Sequence, residues 1–331
     1  MGRYLIKRLL FTIIVLLILS ITVFAIIQAP PGDAVDVMVR NMEMQGDIVS
    51  EAQIVVLKQM YGLDQSFFVQ YRVWISGFFT GNMGTTVGGE SVEMLIKSRL
   101  GNTLLLSLLA LVLTYLIAIP IGIYSATHQY SLGDYIATTF GFIGLATPNF
   151  LLGIILLFFF YKWFGLSIGG LQSPEFTGAP FSLPKMLDFI NHLWIPIIVI
   201  AIGATAGTIR TLRATLLDEL GKQYVLTARA KGVPWRKLLY KYPVRLALNP
   251  IISGIARQFP YLIAGQTIVA IVLNLPTLGP LIFRALLNQD VRLAASVLLI
   301  QCFLAVIGVI IADILLTTVD PRIRLEKGAA R

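Results

Sequence analysis

The sequence predicts an all-α protein that spans a lipid bilayer six times. Hydrophobic residues make up 56% of the 331 residues and charged residues only 13%, with a mean hydropathy of +0.81, whereas a soluble domain carries about a quarter charged residues. The apolar residues lie in six long blocks, and about 20 helical residues span a bilayer core of about 30 Å. The predicted spans are residues 9–29, 103–126, 136–161, 193–209, 251–273 and 293–317.

The first apolar block follows Arg3, Lys7 and Arg8, an arrangement that also occurs in secretory signal peptides. The block is long for the apolar region of a signal peptide. Pro30 and Pro31 directly after it disfavour cleavage at its end. We therefore expect a retained membrane span.

Between the first and second blocks, residues 30–100 are long enough to form a small folded cap. Ser50 and Gln53 form a capping box that predicts the start of a helix, and Gly62 predicts its end. A second helix is predicted, because aromatic and apolar residues recur at helical spacing and form one face. This face either packs against the spans or lies at the membrane surface as a docking platform for an extracytoplasmic partner. This face contains Phe67, Phe68, Tyr71, Trp74, Ile75 and Phe78.

The distribution of Lys and Arg predicts which side of the membrane each segment occupies. Residues 210–245 contain nine basic residues, and both ends of the chain are basic. Because cytoplasmic loops are enriched in Lys and Arg, both termini and the segment 210–250 are expected in the cytoplasm. The turn at 128–135 has no Lys or Arg, so the rule does not place it. A net charge of +9 in this arrangement indicates orientation in an anionic bilayer and not nucleic-acid binding.

The chain contains no recognisable catalytic motif. It lacks a P-loop, a nucleophile elbow, a paired-histidine zinc motif and a Gly-rich dinucleotide turn, and no channel selectivity filter is evident. One cysteine, Cys302, and two histidines, His128 and His192, leave few ligands for a metal centre. We therefore expect a protein that is not an enzyme and holds no cofactor of its own.

Proline and glycine interrupt several of the predicted spans. Gly203 and Gly207 form a G-x-x-x-G pair, which allows close approach of helices. Each proline removes a backbone hydrogen bond and predicts a kink. The prolines inside apolar blocks are Pro120, Pro148, Pro196 and Pro260.

Arg257 and Asp313 are charged residues inside apolar blocks, at matched depth near the predicted cytoplasmic ends. One interpretation is that Arg257 extends its side chain to the interface. A second is a structural ion pair between Arg257 and Asp313. A role in solute passage is the third.

The basic segment 210–250 contains the pattern of a short exposed helix. Helix-forming residues are followed by Gly232 and then Pro234, which predicts a sharp end. The helix is either solvated on its own or shaped to fit a groove of a partner protein. It and its glycine stop comprise Tyr224, Val225, Leu226, Thr227, Ala228, Arg229, Ala230, Lys231 and Gly232.

These nine residues, followed by Asn249 and Pro250, resemble the cytoplasmic coupling loop of binding-protein-dependent ABC importer permeases, in the variant found in dipeptide and oligopeptide systems. The Glu-Ala-Ala start of the general importer motif corresponds here to Leu226, Thr227 and Ala228. Further stretches spread over nearly the whole chain are similar to that family, namely residues 4–10, 29–33, 61–64, 70–71, 81–84, 275–279 and 320–324.

The resemblance implies a type I ABC importer permease fold in a bacterial or archaeal cytoplasmic membrane. Residues 1–94 would hold the first span and the cap, residues 95–318 the permease core, and residues 319–331 a cytoplasmic tail. Implied partners are a second permease subunit, two cytosolic ATPase subunits that bind ATP and Mg²⁺, and an extracytoplasmic solute-binding protein. Residues 224–232 would be the helix that couples to an ATPase.

The implied cargo is di- and oligopeptides, which would pass along a path formed with the second permease. The same architecture also carries oligosaccharides, nickel chelates or glutathione, so these cargoes stay open. A stand-alone secondary transporter is the remaining alternative, although no internal inverted repeat is evident in the sequence.

Overall fold

The computed structural model describes residues 2–165 and 169–319, with side chains for residues 10–165 and 169–315. The predicted tail at 319–331 therefore lies outside the described residues from residue 320 onward. The regular structure of the described chain is helical, apart from one isolated bridge between Thr85 and Ser91.

The helices follow in chain order. They are α1 (Gly2–Gln28), α2 (Ala34–Met44), α3 (Glu51–Tyr61), α4 (Phe67–Thr80), α5 (Val92–Thr127), α6 (Leu132–Ala146), α7 (Asn149–Phe164), α8 (Leu183–Leu220), α9 (Gln223–Ala230), α10 (Trp235–Lys241), α11 (Pro243–Ala247), α12 (Asn249–Ala264), α13 (Thr267–Val272), α14 (Leu278–Leu287) and α15 (Val291–Val319), with a short 3₁₀ turn at Pro174–Phe176.

Within the described residues, five segments are long and apolar enough to cross a membrane, one of them made of α12 and α13 together, and a bent pair counted as one span gives a sixth. The pair is α6 and α7. The five single segments are Leu10–Gln28, Val92–Thr127, Leu183–Leu220, Asn249–Val272 and Val291–Leu315. The all-α membrane protein predicted from hydropathy is confirmed, with the bent pair counted as the third span.

The third span bends far more than a proline kink requires. The axes of α6 and α7 differ by 101°, and the break lies at Thr147 and Pro148, where Pro148 precedes the first residue of α7. Proline disfavours helical conformation in the residue before it, and Thr147 is accordingly extended, with ψ of 123°. The other three prolines lie inside continuous helices.

The fourth span is longer than the apolar block at 193–209. Helix α8 has 38 residues, which is about 57 Å at 1.5 Å per residue and nearly twice the thickness of a bilayer core. The segment predicted as a loop from residue 210 therefore contains the end of α8 and three further short helices, α9 to α11.

The chain forms two compact units. Unit 1 consists of the described part of Met1–Thr103 together with Pro276–Val306. It contains the cap helices α2 to α4, and the predicted helix start and end are confirmed there. Ser50 and Gln53 exchange hydrogen bonds as a capping box, and Gly62 ends α3 with φ of +67°.

The aromatic face of α4 packs inside unit 1. Phe67, Tyr71 and Trp74 surround Phe24 of α1 with ring centroids 5.1–5.6 Å from it. Trp74 is 3% exposed, and its Nε1 donates to Ser296 Oγ at 2.9 Å. This packing agrees with the first of the two interpretations of the aromatic face.

Unit 2 consists of Leu104–Leu275 and the described part of Ile307–Arg331. One apolar core is centred on Ile195, Val199 and Leu273. A second joins Leu212 and Leu216 of α8 to residues of α5, α10, α11 and α12. The second core attaches the short helices to the end of α8.

Candidate coupling helix and membrane cleft

Helix α9 is a short helix with a defined start and end. Lys222 precedes it in extended conformation and Lys231 follows it. Gly232 then has φ of +74°, a conformation that favours glycine because other residues clash there. The glycine stop that the sequence predicts is therefore present, and Pro234 begins the next turn before α10.

One side of α9 is attached to the end of α8. Val225 is 2% exposed, and the Tyr224 hydroxyl donates to Glu219 Oε2 at 2.6 Å. Lys222 forms an ion pair with the same carboxylate. The pKa of the Tyr224 phenol is raised above its ordinary value, mainly by burial and secondly by the hydrogen bond to Glu219. These contacts fix α9 to α8.

The other side of α9 is open. Leu226 is 52% exposed, and Thr227, Arg229 and Ala230 are exposed beside it. The guanidinium of Arg229 lies over the Trp235 ring, 4.6 Å from its centroid, which holds the arginine against α10. Helix α9 therefore presents a small, mostly uncharged face with one exposed leucine, while its opposite side is attached to the end of α8.

A buried ion pair connects α8 to the start of α6. Arg213 donates to both carboxylate oxygens of Asp134, at 2.8 and 2.7 Å, and the Asp134 side chain is 3% exposed. Asp134 also accepts from the backbone N–H of Tyr130. The bidentate geometry is the strong form of such a pair. It brings the turn at 128–135, which the charge rule could not place, to the basic segment after residue 210.

A cleft of about 870 Å³ opens in unit 2. Three elements line it: the bend between α6 and α7, the middle of α8, and the face of α12 and α13. Gly203 and Gly207 both lie on the α8 wall. A β-carbon at Gly203 would come within 3.1 Å of Asn149 Oδ1, so glycine is what allows α8 to approach the bend here. The predicted close approach is present.

Two residues that line the cleft, Gln258 and Thr208, form a hydrogen-bond network with Tyr115 of α5. The Tyr115 hydroxyl donates to Gln258 Oε1 at 2.7 Å, and Gln258 Nε2 donates to Thr208 Oγ1 at 3.0 Å. The charged residues among the described cleft lining are Arg210 and Arg257, and that lining includes no Asp or Glu. The cleft is therefore positively charged on the walls that this chain supplies.

The residues singled out from the sequence fall at different places. Residues 224–232 form one helix and its stop. Arg257 lines the cleft from α12, while Asp313 lies in α15, and their ion pair stays a prediction. Groups of three or more residues able to hold a metal ion are absent from the described part of the chain.

Sequence reasoning missed Asp134, Arg213 and Gln266, the last of which lines the cleft. Gln266 was visible as a polar residue inside an apolar block. The pairing of Asp134 with Arg213 joins residues 79 positions apart, and the sequence contains no signal for it.

Membrane-spanning segments, three of which line an open cleft, and a short anchored helix at the end of one of them are features expected of a membrane transport permease. The model of the family described as "Binding-protein-dependent transport system inner membrane component" matches residues 118–325. The model of the N-terminal part of such membrane components matches residues 1–114. The chain belongs to this family, and it is a multi-pass transport subunit of the inner membrane.

Several curated relatives match over almost their full length. The oligopeptide transport system permease protein AppB of Bacillus subtilis is 37% identical over 328 residues, which is 98% of this chain and 99% of AppB. A putative peptide permease protein of Brucella ovis is 32% identical over 98% of this chain and all of that protein. The oligopeptide permease OppB of Mycobacterium tuberculosis is 28% identical over the same shares.

Proposed function

We propose that this chain is one of two permease subunits of an ATP-driven importer and that it carries di- and oligopeptides into the cell. The observation that carries the proposal is the near full-length similarity to AppB, an oligopeptide permease, at 37% identity. The match covers 98% of this chain and 99% of AppB, so the similarity is not confined to a single motif.

The proposal includes the partners. A second permease subunit completes the path, two ATPase subunits in the cytosol bind ATP and Mg²⁺, and a solute-binding protein delivers the cargo from outside. The absence of a P-loop from the sequence supports separate ATPase subunits. The basic residues near both ends and at 210–245 support cytoplasmic termini. Residues 1–94, 95–318 and 319–331 are the proposed sequence domains.

The proposed mechanism starts at α9, which sits in a groove of one ATPase subunit. When the two ATPase subunits close, α9 moves with them and carries the end of α8, to which Tyr224 and Lys222 attach it. Helix α8 also lines the cleft, and Arg213 carries the start of α6 along with it. The cleft then opens alternately to the two sides of the membrane, a two-state change driven by binding at a separate subunit.

Peptide cargo is favoured over the other cargoes of this architecture. AppB, the Brucella protein and OppB are all named as peptide or oligopeptide permeases. The positively charged cleft walls with side-chain amides suit a solute rich in carbonyl and carboxylate oxygens. Oligosaccharides, nickel chelates and glutathione remain the alternatives for the test.

The test is uptake by the complete transporter in proteoliposomes, with its own binding protein outside and ATP inside. We expect labelled trialanine to accumulate only when ATP and the binding protein are both present. Accumulation without ATPase subunits would contradict the importer proposal. Accumulation of an oligosaccharide, a nickel chelate or glutathione, with no uptake of trialanine or any other peptide apart from glutathione, would contradict the proposed cargo.

A further inference from the structure

The span formed by α12 and α13 is interrupted where it borders the cleft. Helix α12 ends at Ala264 and α13 begins at Thr267, which leaves Gly265 and Gln266 between them. Both residues line the cleft. Interrupted backbone in a membrane span is tolerated where it lines a cavity, and secondary transporters commonly bind their solutes at such points.

The side-chain amide nitrogen of Gln266 has no hydrogen-bond acceptor among the described residues. The residue is 6% exposed, and its Nε2 has no hydrogen-bond partner among the described residues. A buried amide donor without a partner is unfavourable, and native proteins rarely keep one without a reason. Because a glutamine side chain has several rotatable bonds, the donor can turn into the adjoining cleft without movement of the backbone.

The neighbouring glutamine behaves differently. Gln258 lies on the same cleft wall, but both polar atoms of its amide are hydrogen-bonded, Oε1 to Tyr115 and Nε2 to Thr208. Of these two amides, only that of Gln266 has a nitrogen without any hydrogen-bond partner among the described residues. Arg210 and Arg257 give the described lining a positive charge, which adds to the attraction for solute oxygen atoms.

We propose that the Gln266 amide is a solute contact, which donates a hydrogen bond from Nε2 to a backbone carbonyl oxygen of the peptide in the cleft. Arg257 and Gln266 both line the cleft, so the proposed hydrogen bond lies on the same wall as a positive charge. The inference rests on the proposed peptide cargo and assigns one residue of its binding site.

The test compares Gln266→Leu with Gln301→Leu in the complete transporter in proteoliposomes. Gln301 is the matched control because it is also 6% exposed with Nε2 unpartnered among the described residues, but it does not line the cleft. The cargoes are trialanine and its two thioamide analogues, in which a peptide carbonyl oxygen is replaced by sulfur, a weaker acceptor.

We expect Gln266→Leu to lower the rate of trialanine uptake threefold to tenfold, the range expected for one lost hydrogen bond. The wild type should prefer trialanine over at least one thioamide analogue, and Gln266→Leu should reduce that preference. The binding protein is the same in both cases, so a changed preference belongs to the permease. Gln301→Leu should change neither the rate nor the preference.

Three results would overturn the inference. Wild-type uptake and preference in Gln266→Leu would exclude a solute contact. Loss of the second permease subunit during purification of Gln266→Leu would assign the amide to a subunit interface. If the wild-type transporter moves another solute and no peptide, the proposed function itself is contradicted. The wild-type measurement alone shows this result, before any variant is tested.

Discussion

Lys58 lies between two carboxylates in the cap of unit 1. Its Nζ is 2.8 Å from Asp33 Oδ2 and 2.8 Å from Asp36 Oδ1, and Asp33 and Asp36 also form the capping box of α2. The hydrogen bond from Lys58 lowers the pKa of Asp36 below its ordinary value. The hydrogen bonds to Asp33 and Asp36 raise the pKa of Lys58. One lysine on α3 therefore holds the start of α2.

These two pKa shifts predict the pH range over which the contacts of Lys58 stabilise the cap. The folded-state pKa of Asp36 is lowered, so its contribution is present at neutral pH and is lost as the pH falls through that folded-state pKa, below the ordinary value of about 3.9. The pKa of Lys58 is raised, so its contribution is present below the ordinary value of about 10.4 and is lost as the pH rises through the folded-state pKa. Between these limits both contributions are constant.

We expect Lys58→Met to loosen α2 and α3 at neutral pH by at most about 1 kcal/mol, because the pair is partly exposed to solvent. Hydrogen exchange of α2 and α3 amides, corrected for the intrinsic rate, measures the change. The wild type should lose protection at acid pH and the variant should lose less. Lys97→Met is the control, since Lys97 pairs with Glu93 in α5. Equal acid sensitivity in wild type and Lys58→Met would contradict the assignment.

At the scale of elements, the pair of Asp134 and Arg213 joins α6 to α8. We expect Arg213→Met to lower the free energy of unfolding by about 3 kcal/mol, because it leaves a buried carboxylate without its cation. The double variant Asp134→Asn, Arg213→Met should be more stable than Arg213→Met alone, since the unpaired charge is gone. Thermal unfolding of the purified protein measures both.

Arg210→Met is the matched control for this experiment, because Arg210 is an exposed arginine one helical turn away on α8. It should change stability by less than about 0.5 kcal/mol. A double variant that is as unstable as the sum of its two single variants would show that the two residues do not interact.

The elements that the sequence predicted well are those that depend on local chemistry. The six apolar blocks follow from the length needed to cross a bilayer. The ends of α3 and α9 follow from Gly62 and Gly232, which both have positive φ. Such features need no knowledge of the rest of the molecule.

The extension of α8 to Leu220 was missed because hydropathy averages over a window. Residues 210–220 mix charged, polar and apolar positions, so their mean hydropathy is low and the segment looks like a loop. Leu212 and Leu216, four residues apart, are nonetheless fully buried in the core with α10 and α11. That helical spacing was a usable signal. The 101° bend at Pro148 was not predictable in size, because a proline marks a break and packing sets its angle.

At the scale of the transporter, the proposed function requires that movement at α9 reach the cleft. Helix α8 provides a continuous connection: it lines the cleft at Gly203 and continues to Leu220, about 25 Å further at 1.5 Å per residue. The contacts of Tyr224 and Val225 join α9 to its end. The proposed mechanism therefore needs α8 only to move as one helix, with no change of its own conformation.

A substitution of Leu226, on the exposed side of α9, tests whether this helix docks on an ATPase subunit. A bulky residue at Ala228 would disturb a half-buried site, and any side chain at Gly232 would strain a φ of +74°, so either variant would mix folding with docking. We expect Leu226→Asp to fold and insert normally. It should lower ATP-driven peptide uptake at least tenfold, because an unpaired aspartate is costly in an apolar groove.

The control for Leu226→Asp is Tyr240→Asp, at a position of α10 that is 61% exposed and is expected to lie outside the ATPase groove. Thermal unfolding should be unchanged in both variants, while copurification of the ATPase subunits should fall only in Leu226→Asp. Wild-type uptake in Leu226→Asp would contradict docking through α9. Equal losses in both variants would instead assign docking to the whole basic segment, since α9 and α10 would then contribute alike.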